Sequence, residues 1–424
     1  MNLTFLKLRY IIRLLFYSIG ALAVAFRARF AACDSCHPGS DACRRAFVFI
    51  STHPFAGLWQ RPQQIAVRIA NRHPVLYVWP RYASELARRK SKSEFTPSDG
   101  AKGVHLLAPL LLPFERAIKG IYRINLKTIS SLISAALPRI DADGRPVLWF
   151  YAPRFAPIID SLDHAAVVYD IMDEHSAFGF ARRETMELER RLLESADVVF
   201  AGTNALAERK AEFAPDIKYY PCGVEFDHFS SALGGSLPVP AALSEVEGPV
   251  IGYFGAVDDR LDFDMIFAVA RAYPEWNFLL AGPWLSSRQR SELETTGNII
   301  LPGLVDYSEL PAYLARFDVA ILPFVLNKLT LHIHPTKALE YLASRTPVIS
   351  TAIPDVVKFY SGIIDIVSTA DEFASAVERA LEKPNEDAIE RGFELARSSS
   401  WENMVENMWA DFEAALSKNR PDSK

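Results

Sequence analysis

The chain has 424 residues, a formal net charge of -5, and apolar side chains at 50% of its positions. It is too long for one ordinary core and apolar enough to bury two, and the acidic balance gives no support to nucleic-acid binding. Four cysteines in a chain of this size do not make a disulfide framework.

Residues 1–45 read as a basic and apolar extension. Met1 to Ala32 contains no acid, five basic residues (Lys7, Arg9, Arg13, Arg27, Arg29) and the apolar run Leu14 to Phe26. That run is shorter than the about 20 residues a membrane span needs. Phe30-Ala31-Ala32-Cys33 faintly resembles a lipoprotein cleavage site. A membrane-surface helix, or a start codon upstream of the true one, is the expectation over an export signal. Cys33, Cys36, His37 and Cys43 give a Cys-x-x-Cys-His pattern that lacks the second paired half of most zinc modules. No metal is expected there.

From residue 46 onward, strands alternate with helices. Phe47-Val48-Phe49-Ile50-Ser51 is a first strand, followed by a loop and a helix from about Pro62 to Asn71. Val75 to Val78, Val147 to Phe150 and Ala166 to Tyr169 are unbroken apolar runs, as strands covered on both faces should be, and Asp197-Val198-Val199-Phe200 is a further strand. A helix spans Arg182 to Ser195, and Ile217 to Tyr220 closes this half. Between them, Phe114 to Ile133 repeats Arg116, Lys119, Arg123 and Lys127 along one helical face, with Ile118, Ile121, Leu126 and Ile129 as apolar cover. That pattern suits a helix docked on anionic lipid or, equally, a core-packed helix with a solvated basic face.

Residues 231–249 are rich in Gly, Pro and Ser and read as an interdomain linker. Strands resume at Val250-Ile251-Gly252-Tyr253-Phe254 and continue at Phe278 to Ala281, Ile299 to Leu301, Val319 to Leu322 and Val348 to Ser350. The expected organisation is an N-terminal Rossmann-like domain at 46–230, a second at 250–400, and an amphipathic helix and tail at 401–424. Alternation of this kind implies parallel, doubly wound α/β sheets.

Three stretches carry candidate chemistry. In Tyr169-Asp170-Ile171-Met172-Asp173-Glu174, carboxylates stand just beyond the carboxyl end of a strand. Asp173 is the first candidate base and Asp170 the second, and at least one of the pair is expected to cap the following helix. Gly255, after the Val250 strand, lets backbone approach a phosphate closely. In His334-Pro335-Thr336-Lys337-Ala338-Leu339-Glu340, Pro335 can open a helix, which puts Lys337 and Glu340 one turn apart on one face. Free N–H groups, a cation for phosphate and a carboxylate for sugar hydroxyls outline a nucleotide-sugar clamp. A plain surface Lys–Glu pair fits the same spacing.

Lys337-x-x-Glu340-Tyr341-Leu342-Ala343 followed by Pro347-Val348-Ile349-Ser350-Thr351 resembles the donor-site motif of the family-four, or group one, glycosyltransferases. Trp59-Gln60-Arg61-Pro62-Gln63-Gln64, Val168 to Glu174 and Ile251 to Ala256 resemble one branch of that family, the TuaH-like transferases of teichuronic acid synthesis. The resemblance implies the GT-B architecture, in which two Rossmann-like domains face across a cleft and the C-terminal helix crosses back to the first. It implies that Arg260 and Lys337 meet the donor diphosphate and that Glu340 holds the ribose. Gly57 would lie where backbone nears the acceptor and the phosphates, with Thr336, His334 and Asn327 as further candidates for sugar hydroxyls. His332 stands where the family has its first glutamate, and Arg345 where a glycine is common.

The implied activity is transfer of a sugar from a nucleotide diphosphate, UDP- or GDP-linked, to a glycan or lipid-linked acceptor in envelope or exopolysaccharide synthesis. Retention of configuration and no metal or other cofactor are implied with it. The Asp-x-Asp runs Asp141-Ala142-Asp143 and Asp262-Phe263-Asp264 are accounted for by chance and capping. The enzyme would be cytoplasmic, peripheral on the inner face of the plasma membrane. Two alternatives stay open: a nucleotide-sugar epimerase of the same fold, and a non-catalytic nucleotide-sugar-binding protein.

Overall fold

The computed structural model describes residues 44–56, 59–82, 103–115, 117–140, 142, 144–174, 183–284, 290–327, 330 and 336–418. Residues 1–43, with their basic run and cysteines, therefore lie outside the described residues, as do Gly57, Asp141, Asp143, His332, His334 and Pro335. The chain divides into two compact units, residues 1–221 with 405–424, and residues 222–404.

In the first unit, β1 (Phe47–Ile50), α1 (Arg61–Ile69), β2 (Val75–Val78), β3 (Arg81–Tyr82), β4 (Val104–Leu107) and β5 (Leu110–Leu111) open the chain. They are followed by α2 (Lys119–Ala136), β6 (Val147–Phe150), β7 (Ala166–Ile171), α3 (Arg183–Ser195), β8 (Val198–Ala201), α4 (Asn204–Lys210) and β9 (Lys218–Tyr219). Among the described residues the main sheet runs β4-β2-β1-β6-β7-β8-β9, every pairing parallel. β3 and β5 make a separate parallel ribbon. Strands β1, β2, β6, β7 and β8 are buried along their whole length, which is why their sequences are apolar without alternation. The sequence reading passed over β4, whose His105 and the nearby Pro109 interrupt an otherwise apolar stretch.

Helix α2 presents one face to the core. Asn125, Ile129, Ser130, Ile133 and Ala136 are buried at helical spacing, so the helix packs on the core and turns Arg123 and Lys127 to solvent. Its amino end is less ordinary, because Phe114, Ile118 and Ile124 are each about half exposed beside those cations.

The second unit begins with α5 (Phe226–Ser230) and continues through β10 (Val250–Phe254), α6 (Phe263–Ala272), β11 (Asn277–Ala281), α7 (Arg290–Thr295) and β12 (Ile299–Gly303). Then come α8 (Leu310–Leu314), β13 (Val319–Leu322), α9 (Lys337–Leu342), β14 (Val348–Thr351), α10 (Pro354–Tyr360), β15 (Asp365–Val367), α11 (Ala370–Glu382) and α12 (Glu386–Ser398). Its parallel sheet runs β12-β11-β10-β13-β14-β15. The stretch expected to link the domains is part of this unit: short helical turns at Ser231–Gly234 and Ala241–Leu243 bring Ala232 and Leu243 into its core with Phe229. The boundary falls at Pro221/Cys222 instead. Gly and Pro here make tight turns on a core surface, which composition alone does not distinguish from a free linker.

Arg345 adopts φ 58, a left-handed turn that costs a non-glycine residue about 1–2 kcal/mol. Its guanidinium bonds both oxygens of Glu390 at 2.8–3.0 Å and lies 3.7 Å from the Phe393 ring centroid, which offsets that cost.

The last helix, α13 (Trp401–Lys418), returns to the first unit from Val405 onward. Trp409 and Phe412 pack on Phe47 of β1 at centroid distances of 5.5 and 5.6 Å. Arg61 fastens this junction. It is 1% exposed, its Nε donates to both oxygens of Asp170 (2.9 and 3.0 Å), and its Nη1 donates to the carbonyls of Tyr220 and Pro221. Its Nη2 points at the Met408 sulfur, 3.8 Å away. One guanidinium thus holds the end of β7, the last residues of the outgoing chain and the returning helix.

Removing either member of such a pair leaves the other charge buried and unpaired. Arg61→Leu and Asp170→Asn are each expected to lower the unfolding free energy of the first unit by about 3–5 kcal/mol. Urea unfolding followed by tryptophan fluorescence measures this, and the double variant should cost clearly less than the sum of the two.

Candidate donor and acceptor sites

In the second unit the chain leaves β10 for β11 and β12 on one side, then returns to place β13 on the other. Ligands of such sheets bind at this switch point, outside the carboxyl ends of the strands. The loops there are sewn together by backbone bonds. Asp262 N donates to Pro323 O at 2.7 Å, and Val325 N donates to Arg260 O at 2.9 Å. The Asp262 carboxylate caps α6 by accepting from Met265 N, the capping role expected for that Asp-x-Asp run.

Gly255 follows β10 with φ 148. A Cβ on it would stand 2.3 Å from Lys337 Cε and 2.7 Å from the Tyr253 hydroxyl, so the lysine stem lies directly against glycine backbone. Gly282, which the sequence reading did not single out, supports this from behind: a Cβ there would be 1.8 Å from Gly255 O. The two loops meet backbone to backbone, and only glycine fits.

Helix α9 is set against β10 by Tyr341. This fully buried side chain packs its ring edge on Phe254 (4.8 Å), and its hydroxyl accepts from Phe254 N at 3.1 Å. Ala338, Leu339 and Leu342 are buried with it, which leaves Lys337 and Glu340 half-buried on the other face. Glu340 is pushed above the ordinary 4.5 chiefly by burial and further by Glu225, with Lys337 opposing. Its carboxylate has no hydrogen-bond donor among the described residues.

Arg260 lies in the same neighbourhood but not as a bare cation. Its Nε and Nη2 donate to both oxygens of Asp258 at 2.8–3.1 Å. Burial works against the Asp258 charge, and the bonds from Arg260 with the nearby Lys337 outweigh it, so Asp258 sits below its ordinary 3.8. Arg260 is therefore ion-paired with Asp258. The pair fixes the guanidinium plane while the side chain stays 42% exposed. Thr336 precedes α9 without capping it through its side chain. Asn327 is engaged in a local turn, its side-chain oxygen accepting from Thr330 N.

In the first unit, the strand-end motif divides its labour. Asp170 is fully buried in the pair with Arg61 and caps no helix, so it offers no accessible oxygen to a reacting hydroxyl. This removes it as second candidate base: a base must reach the proton it takes. Glu174 accepts from Lys210 Nζ at 3.0 Å, and Lys210 also bonds Glu189 at 2.8 Å, which anchors the segment. Asp173 between them is exposed.

His53, in the loop after β1, was missed by the sequence reading. Burial lowers its pKa, and the charge of Asp173, close by, opposes that shift. Its loop is pinned: Tyr77 Oη donates to His53 O at 3.1 Å, and Gln63 Nε2 donates to Pro54 O at 2.7 Å. Gln63 also accepts from Gln60 N at 3.1 Å to cap α1. The Trp59 to Gln64 motif thus both starts a helix and holds a loop.

Residues 248–383 match the model of the family described as glycosyl transferases group 1. The chain is similar to TuaH of Bacillus subtilis (strain 168), whose name assigns it to teichuronic acid biosynthesis as a glycosyltransferase. Identity is 28% over 316 residues, or 70% of this chain and 78% of TuaH. Its fold is similar to that of sucrose-phosphate synthase from Thermosynechococcus elongatus (TM-score 0.62, 16% identity, covering 89% of this chain and 100% of that one). An E. coli trehalose-6-phosphate structure bound with UDP-2-fluoro glucose gives TM-score 0.60 at 14% identity, with the same coverage.

The raised Glu340 pKa has a consequence for stability. Relative to the unfolded chain, folding disfavours the charged form of this group, so its ionisation costs stability as pH rises from the unfolded carboxyl value through the folded one. Glu340→Gln is therefore expected to raise the melting temperature at pH 7–8. The gain should shrink as pH falls toward about 4, in thermal melts across that range.

Proposed function

We propose that this glycosyltransferase, whose second unit carries a group 1 domain and whose fold is GT-B, moves a sugar from a nucleotide diphosphate to a glycan or lipid-linked acceptor in envelope or exopolysaccharide synthesis. The reading rests on one observation: the Lys337 stem laid on Gly255 at the switch point of the second sheet. Diphosphate departs with negative charge, and a cation already seated where that charge develops lowers the barrier without reorganising. Lys337 supplies that cation, and Arg260, oriented by Asp258, supplies a second. Glu340 accepts from the nucleotide's ribose. We take the donor to be a UDP- or GDP-sugar and the transfer to be retaining and metal-independent, as the motif's resemblance implies.

On the acceptor side, Asp173 takes the proton of the attacking hydroxyl. It is the exposed carboxylate of its strand end, and His53 beside it is held toward the neutral form by burial. An envelope acceptor is supported by the likeness to TuaH. A place on the inner face of the membrane is supported by exposed Phe114, Ile118 and Ile124 beside Arg123 and Lys127. Among the described residues, no helix is long and apolar enough to cross a membrane.

A panel of UDP- and GDP-sugars assayed for nucleotide release with envelope extract as acceptor tests the proposal. Release from none of them by folded protein sinks it. Lys337→Ala is expected to lower kcat/KM by about 10²–10³-fold. Asp173→Asn should bind donor as the wild type does while transfer falls by about 10²–10⁴-fold. Undiminished turnover in that variant would remove Asp173 as the base.

A further inference from the structure

Glu225 belongs to no motif, yet it stands beside the donor-site carboxylate. It precedes α5, and α5 packs on α9. Phe229 of that helix stacks on Phe254 at 5.9 Å, and Phe254 in turn meets the Tyr341 ring. This aromatic chain fixes Glu225 relative to Glu340. A second tie comes from the loop after β12, where Tyr307 Oη donates to Glu225 Oε2 at 2.6 Å. Tyr307 is itself held face to face with His228 at 4.7 Å and edge-on to Phe229 at 5.7 Å. The half-buried Glu225 is therefore oriented by a hydrogen bond on one oxygen, while a carboxylate can accept more than one such bond.

Two carboxylates held near each other repel, and the fold tolerates the arrangement at a cost. The charge of Glu225 adds to the burial that disfavours ionised Glu340. Among the described residues no hydrogen bond to the Glu340 carboxylate relieves it. A ligand presenting two adjacent hydroxyls would do so, giving one O–H to each carboxylate. Cations would do so too, but Lys337 already opposes the shift from the same helix and its stem is committed to Gly255.

We infer that Glu225 is a second sugar-recognising carboxylate of the donor site, and that with Glu340 it grips the vicinal diol of the nucleotide's ribose, one hydroxyl each. The assignment rests on the donor reading above and deepens it. It makes the site selective for ribonucleotides over deoxyribonucleotides, with Tyr307 as the positioning residue that aims Glu225.

Titration calorimetry with UDP, GDP and their 2′-deoxy and 3′-deoxy forms tests this. The wild type should reject both deoxy forms by about tenfold or more, since each loses one charge-assisted bond. Glu225→Ala should keep its rejection of one deoxy form and bind the other within about threefold of the parent, and Glu340→Ala should show the converse. If Glu225→Ala does not fold, Tyr307→Phe serves in its place: it removes the O–H and keeps the ring, and should weaken the same discrimination. Wild-type rejection of both forms in Glu225→Ala, or in Tyr307→Phe, overturns the inference. A wild-type protein that binds none of these nucleotides sinks the donor reading itself, an outcome distinct from the others.

Discussion

A lysine side chain laid against a glycine backbone is the contact on which the chemistry proposed for the second unit turns. Gly255 has no Cβ, so the stem of Lys337 comes close over it, and Gly282 has none, so the neighbouring loop can press against Gly255 from behind. Tyr341 then ties α9 to the last residue of β10 through ring and hydroxyl together. A cation at the end of a flexible side chain would ordinarily wander in water, and electrostatic assistance needs it fixed beforehand. Close packing of small and aromatic residues supplies that fixation for the lysine stem.

The first unit solves a different problem. Its chain leaves after Pro221 and comes back at Val405, so two distant segments must be held where they pass. Arg61 does this from the start of α1, with Asp170 as counter-ion and two carbonyls and a thioether around it. A buried guanidinium satisfied on several sides is geometrically demanding, and this demand accounts for the Arg in the Trp59 to Gln64 motif and the first Asp of the strand-end motif together. With Asp170 spent on structure, Asp173 is the exposed carboxylate of this strand end, and Glu174 is bound to Lys210.

Parts of this were legible before any coordinates. Strands β1, β2, β6, β7, β10 and β13 announce themselves as unbroken apolar runs, because both faces of a parallel sheet are covered. The one-turn spacing of Lys337 and Glu340 survives in α9, and the glycine after β10 is where backbone approach demanded it. Other parts were not legible. The Pro/Gly/Ser-rich stretch at 231–249 looked like a linker because tight turns on a core surface and free connections draw on the same residues. Glu225 and His53 carried no signal, since each gains its meaning only from a partner far off in the chain.

The sequence by itself determined the alternation of strands and helices, the parallel sheets and the residues that end each strand, because those depend on local periodicity and on burial. What only the tertiary structure decided is which charged group meets which. Arg61 and Asp170 lie 109 residues apart and Glu225 and Tyr307 82, and at such separations the pairing is set by how the sheets and helices pack rather than by anything adjacent residues encode. The division of Asp170 from Asp173 follows the same rule: two carboxylates three residues apart are alike in the chain, and burial makes one of them an anchor while the other stays in water.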